Sequence, residues 1–247
     1  MSPTFNSGIR TRFLRVLFLV TPLVVVPNVA ISAREHARVR TASSAPTAGT
    51  HIEGHSSVGT IDVSVVDLAF GAANCAVQTG AATNPSTLTV IDYSQPSIAK
   101  RLWVFDLRTR ELLYQELVAH GQGSGDNFAT MFSNEPETHR SSLGLFVTEG
   151  TYVGKNGYSL RLNGLDAGFN DRARERAIVM HGAPYVSAEF AHVQGRLGRS
   201  WGCPALRDSI AHDVIDRIKG GSLVFAYYPD QQWLTSSKYL GRCAAAN

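Results

Sequence analysis

Residues 180–207 read MHGAPYVSAEFAHVQGRLGRSWGCPALR. The apolar run Ala177-Ile178-Val179-Met180 leads into His181-Gly182, and Ser200-Trp201-Gly202-Cys203 stands near the far end. A short apolar run of this kind reads as a buried strand, so His181 is delivered by a segment whose position packing sets. A histidine placed in this way, upstream of a cysteine that follows a glycine, is the minimal inventory for thiolate nucleophilic catalysis.

Working outward, Asp208 or Ser209 can cap a helix on which Ile210, Val214, Ile215 and Ile218 share one face, with Gly220 and Gly221 ending it. Ser222–Tyr228 is then a closing strand. Upstream, the spacing of Val65, Val66, Leu68, Ala69, Ala72, Ala73 and Ala76 predicts an amphipathic helix over 61–78, stopped by Gly80. Strands are expected at 88–92 and 101–106, with a turn at 107–111 and a returning strand at 112–119. A short strand follows at 145–148, and 152–162 reads as two strands around the Lys155-Asn156-Gly157 turn. Residues 170–176 are polar and read as a short helix or loop. The stretch between the two motifs, which holds His192, reads as a loop. The fold class is mostly β, a β-rich α+β domain with a few helices.

The chain has 247 residues, 44% of them hydrophobic, and a net charge of +3. That charge is too small to argue for a nucleic-acid partner. Arg10, Arg12 and Arg15 precede the apolar segments 16–20 and 23–26, and Ala30, Ser32 and Ala33 offer a cleavage site. Residues 1–33 therefore read as a signal peptide, with an uncleaved anchor as the alternative. Pro22 and Pro27 interrupt the apolar run and leave it shorter than a membrane span needs. Residues 34–58 hold few large apolar side chains and read as a flexible linker. His51 and His55 have metal-ligand spacing, but Gly54 argues against the helix that would align them. The folded domain is expected at 59–240. Of the three cysteines, Cys75 and Cys243 can bridge or remain two free thiols, and spacing does not decide between these.

The chemistry follows from the residue types. Cysteine at neutral pH is mostly thiol, and a neighbouring imidazolium at His181 would stabilise the thiolate and later donate a proton. The carbonyl of Gly182 can orient that imidazole through Nδ1. Gly202 lets substrate approach the backbone, and the amides of Gly202 and Cys203 can form an oxyanion hole to which Pro204 cannot add a donor. Arg199 and Arg207 flank Cys203 and can grip a substrate carboxylate, or can equally be surface charges paired with Asp208 and Glu189. His120, at a strand end beside the Gly121–Gly125 cluster, can line the site or be structural. That cluster lacks the lysine of a phosphate-binding loop and instead suggests close backbone approach.

These motifs resemble the L,D-transpeptidases of the YkuD type, which carry a histidine, a loop and then Ser/Thr-His-Gly-Cys with the cysteine as nucleophile. Trp201 stands where that pattern has its second histidine, and Pro204-Ala205 replaces an apolar residue followed by Asn or Arg. A divergent branch, the murein L,D-transpeptidase catalytic domain proteins, matches more closely. Its motifs AHGxGSG, SSLG, GYSLRL and GRSxGCPAL appear here at 119–125, 141–144, 157–162 and 198–206. The resemblance implies a YkuD-like β-sandwich or barrel, with Cys203 as nucleophile and His181 and Gly182 as its catalytic partners. Ser200, Trp201, Arg199, Arg207 and His120 would be the substrate-binding residues. It further implies peptidoglycan stem peptides as the partner, no metal or other cofactor, and an exported periplasmic or cell-wall-associated location. The expected function is L,D-transpeptidation through a thioester on Cys203. Hydrolysis to give L,D-carboxypeptidase activity is the first alternative. A zinc peptidase lacks HExxH and paired CxxC spacing, and a non-catalytic wall-binding module would leave Cys203 as a buried small residue.

Overall fold

The computed structural model describes residues 61–241 and 243. The expected signal at 1–33, the linker at 34–58 and the pair His51 and His55 lie outside the described residues. The helix α1 (Val63–Gln78) begins where the Asp62 carboxylate accepts the Ser64 N–H at 2.8 Å, satisfying one of the helix's orphan donors. Its buried stripe, Val65, Ala69, Ala72, Ala73 and Ala76, repeats at three- and four-residue spacing and lies against the sheet.

Eight strands then form one mixed sheet. They are β1 (Thr87–Asp92), β2 (Leu102–Asp106), β3 (Leu112–Glu116), β4 (Gly144–Gly154), β5 (Gly157–Gly164), β6 (Val179–Ala183), β7 (Ala205–Arg207) and β8 (Leu223–Tyr227). Their spatial order is β3-β2-β1-β8-β4-β5-β6-β7. The β1–β8 and β6–β7 pairs are parallel and the rest antiparallel. Every residue of β1 is buried, as befits a central strand covered on both faces. The two ends of the sheet approach each other. Beyond β3, Ala119 bridges to Ala205 of β7 and Gly121 to Ser200, so the sheet closes almost into a barrel. Trp103, Leu145, Leu160, Met180 and Phe225 fill the core. Burying each such side chain favours the folded state by about 1.5–3 kcal/mol before entropy is counted.

Four further helices complete the domain: α2 (Ala188–Gln194), α3 (Asp208–Ile218), α4 (Gln231–Ser236) and α5 (Lys238–Gly241). A disulfide between Cys75 of α1 and Cys243 resolves the cysteine question and leaves Cys203 as the free thiol. None of the described helices is long and apolar enough to cross a membrane.

Several expectations change. The strand expected at 112–119 ends at Glu116, because the chain must turn there to reach β7. The strands expected at 145–148 and from 152 are one element, β4, whose register shifts between Thr148 and Thr151. The expected loop between the motifs contains α2, capped by Ser187 Oγ on the Phe190 N–H and closed by Gly195 at φ 68°. It buries none of its residues, so it leaves no apolar periodicity to read. The three-residue β7 is too short for a pattern. Residues 170–176 form turns. In α3 neither Asp208 nor Ser209 caps the end; Arg207 occupies that position with no side-chain hydrogen bond. The strand that delivers His181 is 179–183, and Ala177 stands before it at φ 53°.

Candidate active site

Three of the sequence motifs converge on the backbone around Cys203. Ser141 Oγ accepts the Gly121 N–H at 3.0 Å and donates to the Gly202 carbonyl at 3.1 Å. Ser124 Oγ in turn accepts the Ser141 N–H at 2.9 Å. The Ser200 N–H donates to the His120 carbonyl, and the Gln122 N–H returns to the Ser200 carbonyl. This close approach explains two glycines. A Cβ on Gly121 would lie 2.7 Å from Gly202 Cα, and Gly202 itself has φ 114°.

Within that frame Cys203 is 8% exposed, and its thiol donates to the Ala177 carbonyl at 3.8 Å. Burial pushes its pKa up, while the Val179 amide and the Arg176 guanidinium act in the opposite direction. A shift in that direction favours the protonated thiol at neutral pH. His181 pairs with Ala205 in the parallel β6–β7 register, which sets it one strand away from Cys203 and two positions along. Its Nδ1 donates to the Gly182 carbonyl at 2.7 Å, leaving Nε2 as the basic nitrogen. Burial lowers the His181 pKa, against the Gly182 hydrogen bond and the nearby Asp208 carboxylate. Burial therefore works against the charged form of both groups, and so against the expected thiolate–imidazolium pair at rest. Gly182 is required sterically as well: a Cβ there would meet the Asp208 carboxylate at 2.7 Å, where α3 packs against β6.

The oxyanion expectation changes in detail. The Gly202 N–H donates to Ser200 Oγ at 3.1 Å, so it is engaged within the loop. The Cys203 N–H has no acceptor among the described residues. Ser200, expected to touch substrate, is 5% exposed and also donates its hydroxyl to the Cys203 carbonyl at 2.6 Å. These contacts hold the loop together. His120 is fully buried, accepting from Arg101 Nη2 at its Nδ1 (2.7 Å) and donating from Nε2 to the Gly125 carbonyl. Burial, with Arg101 adding to it, lowers its pKa to about 4, which favours the neutral imidazole.

Neither flanking arginine is free. Arg199 pairs with Asp126 at 2.8 Å and also donates to the Gly125 carbonyl. Arg207 makes a two-pronged contact with Glu116 at 2.9 and 2.7 Å. Glu189, one of the partners anticipated, acts on Arg207 through its charge alone, while the hydrogen-bonded partner is Glu116, which barrel closure brings near. Trp201 is 67% exposed and lies stacked on His139, with ring centroids 4.9 Å apart. His192 is exposed on α2, and His212 is exposed and stacked on Tyr158.

Arg176, His139 and the Val179 amide escaped the sequence reading. Arg176 donates to the carbonyls of Ser133 and Arg140, at 2.7 and 2.6 Å, and to Ser142 Oγ. It acts on Cys203 across a turn that no motif marks. Among the described residues no group of three or more His, Cys, Asp or Glu side chains is arranged to hold a metal.

Residues 58–227 match the family described as L,D-transpeptidase catalytic domain, and the chain belongs to that family. Among solved structures, L,D-transpeptidase 3 from Mycobacterium tuberculosis in complex with a faropenem-derived adduct is 14% identical, with a TM-score of 0.39. The alignment covers 59% of this chain and 62% of that one. An L,D-transpeptidase from Mycobacterium smegmatis is 15% identical with a TM-score of 0.36, covering 58% and 59%. One from Stackebrandtia nassauensis is 14% identical with a TM-score of 0.37, covering 65% and 66%. The chain thus spans about three-fifths of the Mycobacterium chains it matches. No curated protein matches it.

Proposed function

We propose that this member of the L,D-transpeptidase catalytic domain family is a cysteine acyltransferase acting on peptidoglycan stem peptides. The observation that carries the reading is the parallel β6–β7 register. It sets His181, its tautomer held by the Gly182 carbonyl, on the strand beside the free cysteine.

In this reading the Cys203 thiol gives its proton to His181 Nε2 as the sulfur attacks the carbonyl carbon of the third stem residue. Starting from a neutral thiol and a neutral imidazole, no ion pair is held in a buried site until substrate arrives. The Cys203 N–H is the amide free to donate to the oxyanion as it forms. The tetrahedral adduct collapses, the C–N bond to the terminal D-residue breaks, and His181 returns the proton to the leaving amine. A thioester remains on Cys203. An amine from a neighbouring stem attacks it, passes its proton to His181, and releases the sulfur as a 3-3 crosslink forms. Water in place of that amine gives L,D-carboxypeptidase activity from the same acyl-enzyme. Arg176 supports the step by lying where the sulfur becomes anionic.

The catalytic domain in this proposal spans 59–240, behind an export signal at 1–33 and a tether at 34–58 that lets it reach the wall. Exposed Trp201 is the substrate-facing residue of the loop. The test is intact-protein mass spectrometry after incubation with a disaccharide-tetrapeptide. A single adduct on Cys203, lost in Cys203→Ala and slower in His181→Ala, is expected. A folded, reduced wild-type protein that remains unmodified overturns the reading. Crosslinked dimer against tripeptide product separates the two acceptors.

A further inference from the structure

A cleft of about 250 Å³ opens beside the nucleophile, lined among others by Tyr152, Arg161, Arg174, Ala177 and Val179. Two of these touch the thiol's surroundings directly: the Ala177 carbonyl accepts from Cys203 Sγ, and the Val179 amide faces it. The strand registers tie the cleft to the site. Arg161 of β5 pairs with Val179 of β6, and Ser159 pairs with His181. Extending the His181–Ala205 pairing back by two residues sets Cys203 beside Val179. Arg161, Val179 and Cys203 therefore form one row across adjacent backbones, with Ser159, His181 and Ala205 in the row above. Residues two apart along a strand share a face, so both rows address the same side of the sheet. Two strand spacings place the Arg161 backbone roughly 10 Å from that of Cys203.

The charge in this cleft is unbalanced. Arg174 is paired with Glu149. Arg161 has no carboxylate partner and donates no side-chain hydrogen bond among the described residues. Its guanidinium lies over the Tyr152 ring, 4.2 Å from the centroid. Stacking uses the face of the guanidinium and leaves its N–H edges free for a planar, two-oxygen acceptor. A held cation with open donors, two strands away in the same row as a nucleophile that cleaves next to a chain end, is suited to an anionic end group. The terminal carboxylate of the leaving residue lies about 3.5 Å of extended chain beyond the scissile bond.

We propose that Arg161, held by Tyr152, binds the free C-terminal carboxylate of the D-residue that the enzyme removes. This rests on the acyltransferase reading above. The subsite makes Arg161 a specificity-determining residue: it selects stems with a free acid end and sets the scissile carbonyl over Cys203.

The test uses the full chain with Cys203→Ala, titrated calorimetrically with a disaccharide-tetrapeptide and with the same compound amidated at its C-terminus. With Arg161 intact, the free acid should bind at least tenfold more tightly. Arg161→Met should abolish that preference, and Arg161→Lys should retain part of it. Acyl-enzyme formation on the Cys203 protein should show the same discrimination, with iodoacetamide alkylation of Cys203 unchanged in both Arg161 variants as the check on folding. Equal binding of acid and amide with Arg161 present, or a preference that survives Arg161→Met, overturns the subsite while leaving the acyltransferase intact. Failure of both peptides to bind and to acylate the Arg161 protein overturns the parent reading and the subsite with it.

Discussion

Ser141 Oγ lies 3.1 Å from the Gly202 carbonyl and 3.0 Å from the Gly121 amide, so one hydroxyl ties the Cys203 loop to the glycine cluster. All three groups are buried. Removing the hydroxyl leaves a donor and an acceptor without partners, at about 1–3 kcal/mol. Ser141→Ala should lower the urea midpoint accordingly and slow acyl-enzyme formation by a larger factor than the stability change explains. The two are read from equilibrium unfolding and from mass-spectrometric acylation rates.

Gly202→Ala is expected to abolish acylation. The position has φ 114°, and the added Cβ would stand 2.8 Å from the Arg140 carbonyl. Backbone strain of this kind costs about 1–3 kcal/mol before the clash is counted. Thermal unfolding and the acylation assay on the purified variant check it. Full activity would show that the loop relaxes without cost.

Because burial raises the Cys203 pKa, iodoacetamide alkylation should show a midpoint above that of free cysteine. His181→Ala should leave that midpoint in place, since the two groups are neutral at rest, yet slow acylation by substrate about 10²–10⁴-fold through loss of the base. A midpoint well below the ordinary thiol range in the wild type would instead indicate a preformed ion pair. With Cys75 and Cys243 bridged, Cys203 is the cysteine that reports.

His120 makes the fold acid-sensitive. Its folded pKa of about 4 lies below the ordinary 6.5, so the unfolded chain binds more protons between those values. Stability is complete above about pH 6.5 and declines as pH falls towards 4, by an amount on the order of 3 kcal/mol. Urea midpoints measured between pH 7.5 and about pH 4 should show this slope. His120→Asn, which keeps an acceptor for Arg101 without the titration, should flatten it.

Reduction of the Cys75–Cys243 bridge should destabilise the domain by about 2–5 kcal/mol. The bridge closes a separation of 168 residues, joining α1 to the end of the chain. Cys203 alkylation at neutral pH should be unaffected, because the bridge lies on another part of the domain. Denaturation with and without reductant, alongside alkylation rates, measures both.

The residues that were legible in sequence are those whose signal is local. The 3–4 spacing in 65–76 and 210–218 marked α1 and α3, apolar runs marked β1, β2 and β8, and Asn156-Gly157 marked the β4–β5 turn. Cys203 and His181 were nameable from their types and motif context, and the Nδ1–Gly182 contact from adjacency. Short elements were not: β7 has three residues, and α2 buries none of its side chains, so neither has a period to detect.

Protonation states and pairings were decided only by the tertiary structure. Barrel closure brings Glu116 to Arg207 and Ala119 to Ala205, contacts between residues about 90 positions apart. Burial, which no local pattern states, works against the charged forms of Cys203, His181 and His120. The sequence by itself determined which reactive groups the chain carries. Folding decided which of them face each other, because hydrogen-bond partners and desolvation are properties of the packed neighbourhood and not of the residue.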